Sequence, residues 1–173
     1  GNEGEAPILN KYTYQTLVPT KEIAIDNTDL FVTPFLLSHV KPYESSAFLV
    51  RNQNSFLLYL GDTGADKVEQ SEQLDALWKT VAPLVMNKQL KGIFIEVSFD
   101  NSVSEKALFG HLTPKLLIEE MGKLNQLSSG NLKNTPLYVT HIKPCDDCET
   151  KIKSEIQKAN QIGLNVFYPS QAS

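Results

Sequence analysis

The period at which apolar residues recur changes at Gly61, and that change sets the class of fold this chain can adopt. Ahead of it lie three apolar runs, Asp29 to Ser38, Ser46 to Val50 and Ser55 to Leu60, and the first is rich in β-branched and aromatic residues. Such runs suit strands. Arg51-Asn52-Gln53-Asn54, between the second and third, has the polar, Asn-bearing composition of a hairpin turn, so an antiparallel meander of three strands is expected. Beyond Gly61, Leu74, Leu77, Trp78, Val81 and Val85 recur at helical spacing, and Ile93 to Val97 is again a short continuous run. The alternation then repeats. Leu116, Leu117, Glu120 and Leu124 predict a helix opened by Thr113-Pro114, and Leu137 to Thr140 a strand. Ile152, Ile156 and Ala159 predict a helix ended near Gly163, followed by a last strand over Asn165 to Tyr168.

Three strands followed by three helix-strand pairs imply an α/β (α+β) architecture, with helices packed on one face of a sheet. Residues 1–28 are a weakly patterned lead-in and 29–173 carry the pattern, with no internal repeat and no linker to a second domain. Leu127 to Asn131 reads as an exposed loop. At 173 residues and 41% hydrophobic, the chain can build one core. A net charge of -4 argues against a large nucleic-acid partner, which needs a face of surplus Lys and Arg. No apolar run approaches the roughly 18 to 20 residues that cross a bilayer, so no membrane partner is expected. The opening Gly1-Asn2-Glu3-Gly4-Glu5 lacks an initiator Met, which raises the expectation of a piece of something longer.

All three histidines sit where a strand ends or a loop begins: Ser38-His39, Gly110-His111-Leu112-Thr113-Pro114 and Thr140-His141-Ile142-Lys143-Pro144. Functional loops converge at strand ends. Gly61-Asp62-Thr63-Gly64 follows an apolar strand and delivers an acidic side chain between two glycines, as a metal-bridging carboxylate requires and as an ordinary turn also would. Cys145-Asp146-Asp147-Cys148 suits a redox pair, half a zinc site or a local disulfide, and tilts the expected setting toward a periplasmic or secreted one. Trp78 shares a helical face with Leu74, Leu77 and Val81 and is expected in the core. Lys143 is read either as a phosphate contact or as a solvated lysine. Asp66 and the Asp146-Asp147 pair are read as acidic residues at helix starts, where the positive end of the helix favours them.

In order, Ser38-His39, Ser45-Ser46-Ala47-Phe48-Leu49, Gly61-Asp62-Thr63-Gly64, Ile95-Glu96-Val97-Ser98-Phe99, Gly110-His111-Leu112-Thr113-Pro114 and Thr140-His141-Ile142-Lys143-Pro144 resemble the class II 3′,5′-cyclic-nucleotide phosphodiesterases of the metallo-β-lactamase superfamily. The resemblance runs from about Phe31 to Phe167. It implies the carboxy-terminal half of a four-layer αββα sandwich, one mixed sheet with helices on its outer face. It also implies two zinc ions bridged by Asp62, with His39 completing one site and His141 the other. His111, oriented by Glu96, is then the proton donor to the departing 3′-oxygen of a cyclic nucleotide such as cAMP or cGMP. Imidazole and carboxylate are ordinary zinc ligands, so the residue types agree with that assignment.

The chain departs from the superfamily in one respect: no histidine remains for the His-x-His-x-Asp-His cluster of the amino-terminal half. The resemblance therefore implies an incomplete zinc site in the isolated chain, with little or no hydrolysis, and an amino-terminal half as partner in the same or a separate chain. A sheet face left bare by that half is expected to be apolar, and an isolated copy to form a homodimer to hide it. A tRNA 3′-end processing nuclease of the same superfamily and a non-catalytic binding module are the alternatives, and only the hydrolase readings require His39, Asp62, His111 and His141 to converge.

Overall fold

A computed structural model describes residues 15–170, and in it the apolar runs of the sequence become one seven-stranded sheet. The strands are β1 (Ile23–Ala24), β2 (Leu30–Ser38), β3 (Glu44–Asn52), β4 (Ser55–Leu60), β5 (Leu90–Glu96), β6 (Pro136–Thr140) and β7 (Asn165–Phe167). The helices are α1 (Asp66–Glu69), α2 (Gln73–Met86), α3 (Pro114–Leu127) and α4 (Cys148–Ala159). The expected meander is β2, β3 and β4, turning at Gln53 and Asn54, with Gln53 in the left-handed region that tight turns use. β1 falls within the weakly patterned lead-in and pairs with β2 through Ile23 opposite Val32.

Spatial order follows chain order, β1 to β7. The pairs from β1 to β4 are antiparallel, whereas β4, β5, β6 and β7 run parallel to one another. β2 and β4 therefore point the same way, and β5 and β6 share that direction. Their carboxy-terminal ends meet at a single edge.

The parallel strands demand crossovers, and α2, α3 and α4 supply them on one face of the sheet. Leu74, Leu77, Trp78, Val81 and Val85 of α2 join Leu116, Leu117, Met121 and Leu124 of α3 and Ile152 and Ile156 of α4 in the core. Leu37, Ala47, Leu58, Ile93 and Ile95 meet them from the sheet, each wholly or almost wholly buried. Trp78 is core, as its spacing implies, and its indole Nε1–H donates to Oε2 of Glu120 at 3.0 Å. α3 opens with Pro114 in its first turn, and the Thr113 side chain accepts from the Leu116 amide.

Two expectations need refinement. Asp66 does begin α1, but its carboxylate serves the next helix, accepting from the amides of Leu74 and Asp75 at 3.2 and 2.8 Å and from the Ser71 hydroxyl at 2.6 Å. The segment Leu127 to Asn131 is a turn whose Ser128 is fully buried, because its amide and hydroxyl close the end of α3 on Leu124 and Asn125. Cys145 and Cys148 form a disulfide that joins the loop after β6 to the first residue of α4.

On the face away from the helices, register aligns Phe48, Tyr59, Phe94, Tyr138 and Phe167 across five neighbouring strands. Phe94 stacks on Tyr138 at 4.5 Å between ring centroids, and Tyr138 on Phe167 at 5.3 Å. Tyr59 is 50% exposed, Leu57 and Phe167 43% each. Among the described residues no helix is long and apolar enough to cross a membrane.

Candidate functional site

The common direction of β2, β4, β5 and β6 brings the residues singled out by sequence to one place. His39 follows the last residue of β2, Asp62 lies two residues past β4, Glu96 ends β5 and His141 follows β6. His111 arrives from the loop ahead of α3. The ring centroids of His39 and His111 are 5.0 Å apart and those of His111 and His141 5.5 Å. His141 Nε2 lies 3.5 Å from Asp62 Oδ1. The four side chains converge, as the hydrolase readings require and a scatter of loop-end polar residues would not.

The backbone holds each of them by identifiable contacts. His39 Nδ1 is 3.0 Å from the carbonyl of Gly110, and since a carbonyl only accepts, Nδ1 carries the hydrogen and Nε2 keeps its lone pair for the site. That contact is open only to glycine at 110. With φ at +77°, a Cβ there would stand 2.4 Å from the Val40 amide nitrogen and 2.7 Å from His39 Nδ1. Gly110→Ala is therefore expected to displace His39 and, with His39 as a candidate metal ligand, to lower metal affinity by about 10- to 100-fold, the usual effect of disturbing a ligand's support. Unchanged affinity by metal titration would show that His39 needs no such anchor.

His111 is buried, and its Nδ1 lies 2.9 Å from Glu96 Oε1. Nδ1–H donates to the carboxylate, which leaves Nε2 free. Oε1 of Glu96 also accepts from the amides of Leu112 at 3.2 Å and Thr63 at 3.3 Å, so one buried oxygen ties together the loops carrying His111 and Asp62. The Asp62 turn is further set by the Gly61 amide donating to the Ser46 carbonyl at 3.0 Å and the Gly64 amide to that of Ser38 at 3.0 Å. His141 has φ of 57°, a strained value for a non-glycine residue. Hydrogen bonds on either side hold it there, from the Val97 amide to the Thr140 carbonyl and from the Lys143 amide to the Ser98 carbonyl.

One donor atom from each of His39, Asp62 and His111 lies within 4.8 Å of the others, a spacing that one cation can span, and His141 joins this triplet through Asp62. The donor set of imidazole nitrogens and a carboxylate, with His39 held in the ligating tautomer, fits a borderline-soft divalent metal. Beside it opens a cleft of about 690 Å³ lined by Tyr59, Asp62, Glu96, His141, Lys143 and Tyr168. Lys143 lies on this cleft with its Nζ 4.5 Å from the centre of the Phe99 ring, a cation–π contact on the wall of the site. Burial pushes the Tyr168 phenol up, so it stays neutral beside the cleft at physiological pH.

Ser98 is a polar group at the centre of this arrangement whose role its residue type and position in the motif do not disclose. It is fully buried, with Oγ 2.8 Å from Glu96 Oε2, 3.1 Å from His111 Nδ1 and 3.2 Å from the His141 carbonyl. A signal was present, since a position two residues past Glu96 in extended chain returns to the same face.

The profile described as class-II cAMP phosphodiesterases matches residues 6–166. A probable 3′,5′-cyclic-nucleotide phosphodiesterase of Yersinia pestis is 38% identical over 98% of this chain and 51% of its own length. A 3′,5′-cyclic-nucleotide phosphodiesterase of Aliivibrio fischeri is 37% identical over 99% of this chain and 53% of its own. The chain thus spans about half the length of these relatives. Unliganded yeast PDE1 superposes with a TM-score of 0.79 at 26% identity, covering 90% of this chain and 48% of that one. The metallo-β-lactamase fold protein YhfI of Bacillus subtilis, at TM-score 0.58 and 13% identity over 99% of this chain and 61% of its own, shares the fold alone. The mixed sheet with its helical layer is accordingly of the metallo-β-lactamase type, and the chain belongs to the class-II cAMP phosphodiesterase family.

Proposed function

We propose that this chain is the carboxy-terminal half of a zinc-dependent enzyme that hydrolyses 3′,5′-cyclic nucleotides to 5′-nucleotides. The observation that carries the reading is the convergence of His39, Asp62, His111 and His141 at one sheet edge beside an open cleft. His39, Asp62 and His141 would hold zinc, Asp62 between the two histidines. Zinc, when bound, supplies Lewis acidity toward the phosphodiester and makes hydroxide available near neutral pH. Glu96 orients His111 by accepting from its Nδ1–H, so that Nε2 carries the proton delivered to the departing 3′-oxygen, a poor leaving group as an alkoxide. Lys143 and Tyr168 line the cleft, where a phosphate or sugar oxygen can meet them.

With Asp62 shared and His39 and His141 on either side, this chain would offer each zinc two protein ligands, below the three typical of catalytic sites. The other ligands belong, in this reading, to an amino-terminal half that also covers the aromatic row on the open sheet face. The relatives' greater length supports this. A second assignment, His111 as ligand in place of proton donor, is favoured by the 4.8 Å triplet.

One experiment addresses these points. Zinc content, cyclic-AMP hydrolysis and molecular mass are measured for the chain alone and for the chain joined to an amino-terminal half of the kind its relatives carry. The joined protein is expected to hold about two zincs, turn over the 3′,5′-ester and run as a smaller oligomer than the chain alone. A joined protein that folds but neither binds zinc nor hydrolyses would overturn the reading. In the same joined protein, His111→Ala that keeps its metal and loses turnover supports the proton donor, while loss of metal supports the ligand.

A further inference from the structure

Glu96 is buried at the inner end of the cleft, and its two oxygens have different partners. Oε1 takes three donors, His111 Nδ1–H and the amides of Leu112 and Thr63, at 2.9, 3.2 and 3.3 Å. Oε2 takes the Ser98 hydroxyl at 2.8 Å. A hydroxyl has a single proton to give, and the charged carboxylate oxygen at the shortest of its three distances receives it. The same oxygen of Ser98 lies against His111 Nδ1 and the His141 carbonyl, and its backbone reaches both neighbouring segments: the Ser98 amide donates to the Leu112 carbonyl at 3.2 Å, and its carbonyl accepts from Lys143 at 3.3 Å. Three segments, the end of β5 with Glu96, the loop ahead of α3 with His111 and the loop after β6 with His141, therefore meet on one residue.

We propose that Ser98 is a positioning residue: its hydroxyl fixes the Glu96 carboxylate so that Oε1 faces His111 Nδ1–H, which points Nε2 of His111 into the site. Without that hydroxyl, Oε2 is a buried carboxylate oxygen with no donor. Such an oxygen costs enough that the carboxylate turns to recover a partner. Turning takes Oε1 away from Nδ1, and the imidazole loses the contact that sets its tautomer and tilt. The inference rests on the role given to His111 under the proposed function, but its structural half does not.

The test uses two matched pairs. Ser98→Ala removes the hydroxyl with little change of volume, and Ser98→Thr and Ser98→Val have nearly equal bulk but only Thr keeps a hydroxyl. In this chain alone, the His111 Nδ1 proton, buried and bonded to a carboxylate, is expected as a slowly exchanging low-field resonance in the parent and the Thr variant, and as a shifted or lost one in Ala and Val. In the complete zinc-loaded enzyme, Ala and Val are expected to lower kcat by about 10- to 100-fold, with KM and zinc content near those of the parent, and Thr to recover most of the loss. An unchanged His111 resonance in Ser98→Ala, or Thr no better than Val, overturns the positioning role whatever the activity. A resonance that responds as expected, in an enzyme whose parent does not hydrolyse cyclic nucleotides, would leave the hydrogen-bond assignment standing and remove the proposed reaction.

Discussion

Under the proposed function, replacing Asp62 with Ala in the chain joined to its amino-terminal half is expected to lower kcat/KM for a cyclic nucleotide by about 1,000-fold or more, a loss of about 4 kcal/mol of transition-state stabilisation, and to strip the protein of most of its zinc. The fold should survive. Asp62 is about a third exposed at its side chain, and its Oδ1 lies 3.5 Å from His141 Nε2. The turn around it is held by backbone amides, those of Gly61 and Gly64 on strand carbonyls and that of Thr63 on Glu96, none of which needs the Asp62 carboxylate. A side chain proposed as a metal ligand, with so little structural duty, allows function and stability to be separated. Metal analysis, kinetics and a thermal melt on the same sample decide the matter: an Asp62→Ala protein with parent-like zinc and turnover would place the metal elsewhere. Asp62→Asn keeps the shape and removes the charge, and it should fall closer to Ala than to the parent, because the amide is a poor bridge between two cations.

The convergence that makes Asp62 a candidate was partly legible in the sequence. Short apolar runs and helical periods locate β2 through β7 and the three longer helices to within a few residues. β1 escapes such a reading because Ile23 and Ala24 form a strand only through pairing with β2, a tertiary contact with no local pattern. Asp66 shows a different limit. Its position at a helix start is a local property, but its carboxylate caps the following helix, a choice made by how the chain turns at Ser71. Within the site, residue types and strand-end positions pick out His39, Asp62, His111 and His141. Tautomers are another matter, since His39 is set by a carbonyl 71 residues away and His111 by a carboxylate 15 residues away. Ser98 and Gly110 went unassigned for the same reason: a small residue inside a motif looks like spacing until its distances are known. The C-x-x-C pair had three readings open, and in the structure the two cysteines form a disulfide, the bond that a simple bridge and an oxidised redox pair share.

Trp78→Ala tests the scaffold that holds these strand ends in place, and its expected cost to stability is about 3 to 5 kcal/mol, that of an aromatic truncated in a core. Trp78 is fully buried among α2, α3 and the sheet, so a cavity is unavoidable. A second penalty is chemical. Glu120 is 1% exposed, and of its two partners the indole donates to Oε2 while Lys123 reaches Oε1 at 2.7 Å. Losing the indole leaves a buried carboxylate oxygen bare, a cost of about 1 to 3 kcal/mol in its own right. The two terms separate with Trp78→Phe, which retains most of the bulk and removes only the donor. In urea unfolding of this chain, Phe is expected to lose about 1 to 3 kcal/mol and Ala clearly more. Against a typical domain stability of about 5 to 15 kcal/mol, the Ala variant would sit near the limit of folding. Equal midpoints for the Phe variant and the parent would mean that Lys123 alone satisfies Glu120. The contrast with Asp62→Ala is the useful one: one residue carries the α2–α3 packing and makes no contact with the site, the other faces the cleft and carries almost none of the packing. A chain in which both substitutions reduced stability alike would not be built as a rigid sheet presenting its chemistry at one edge.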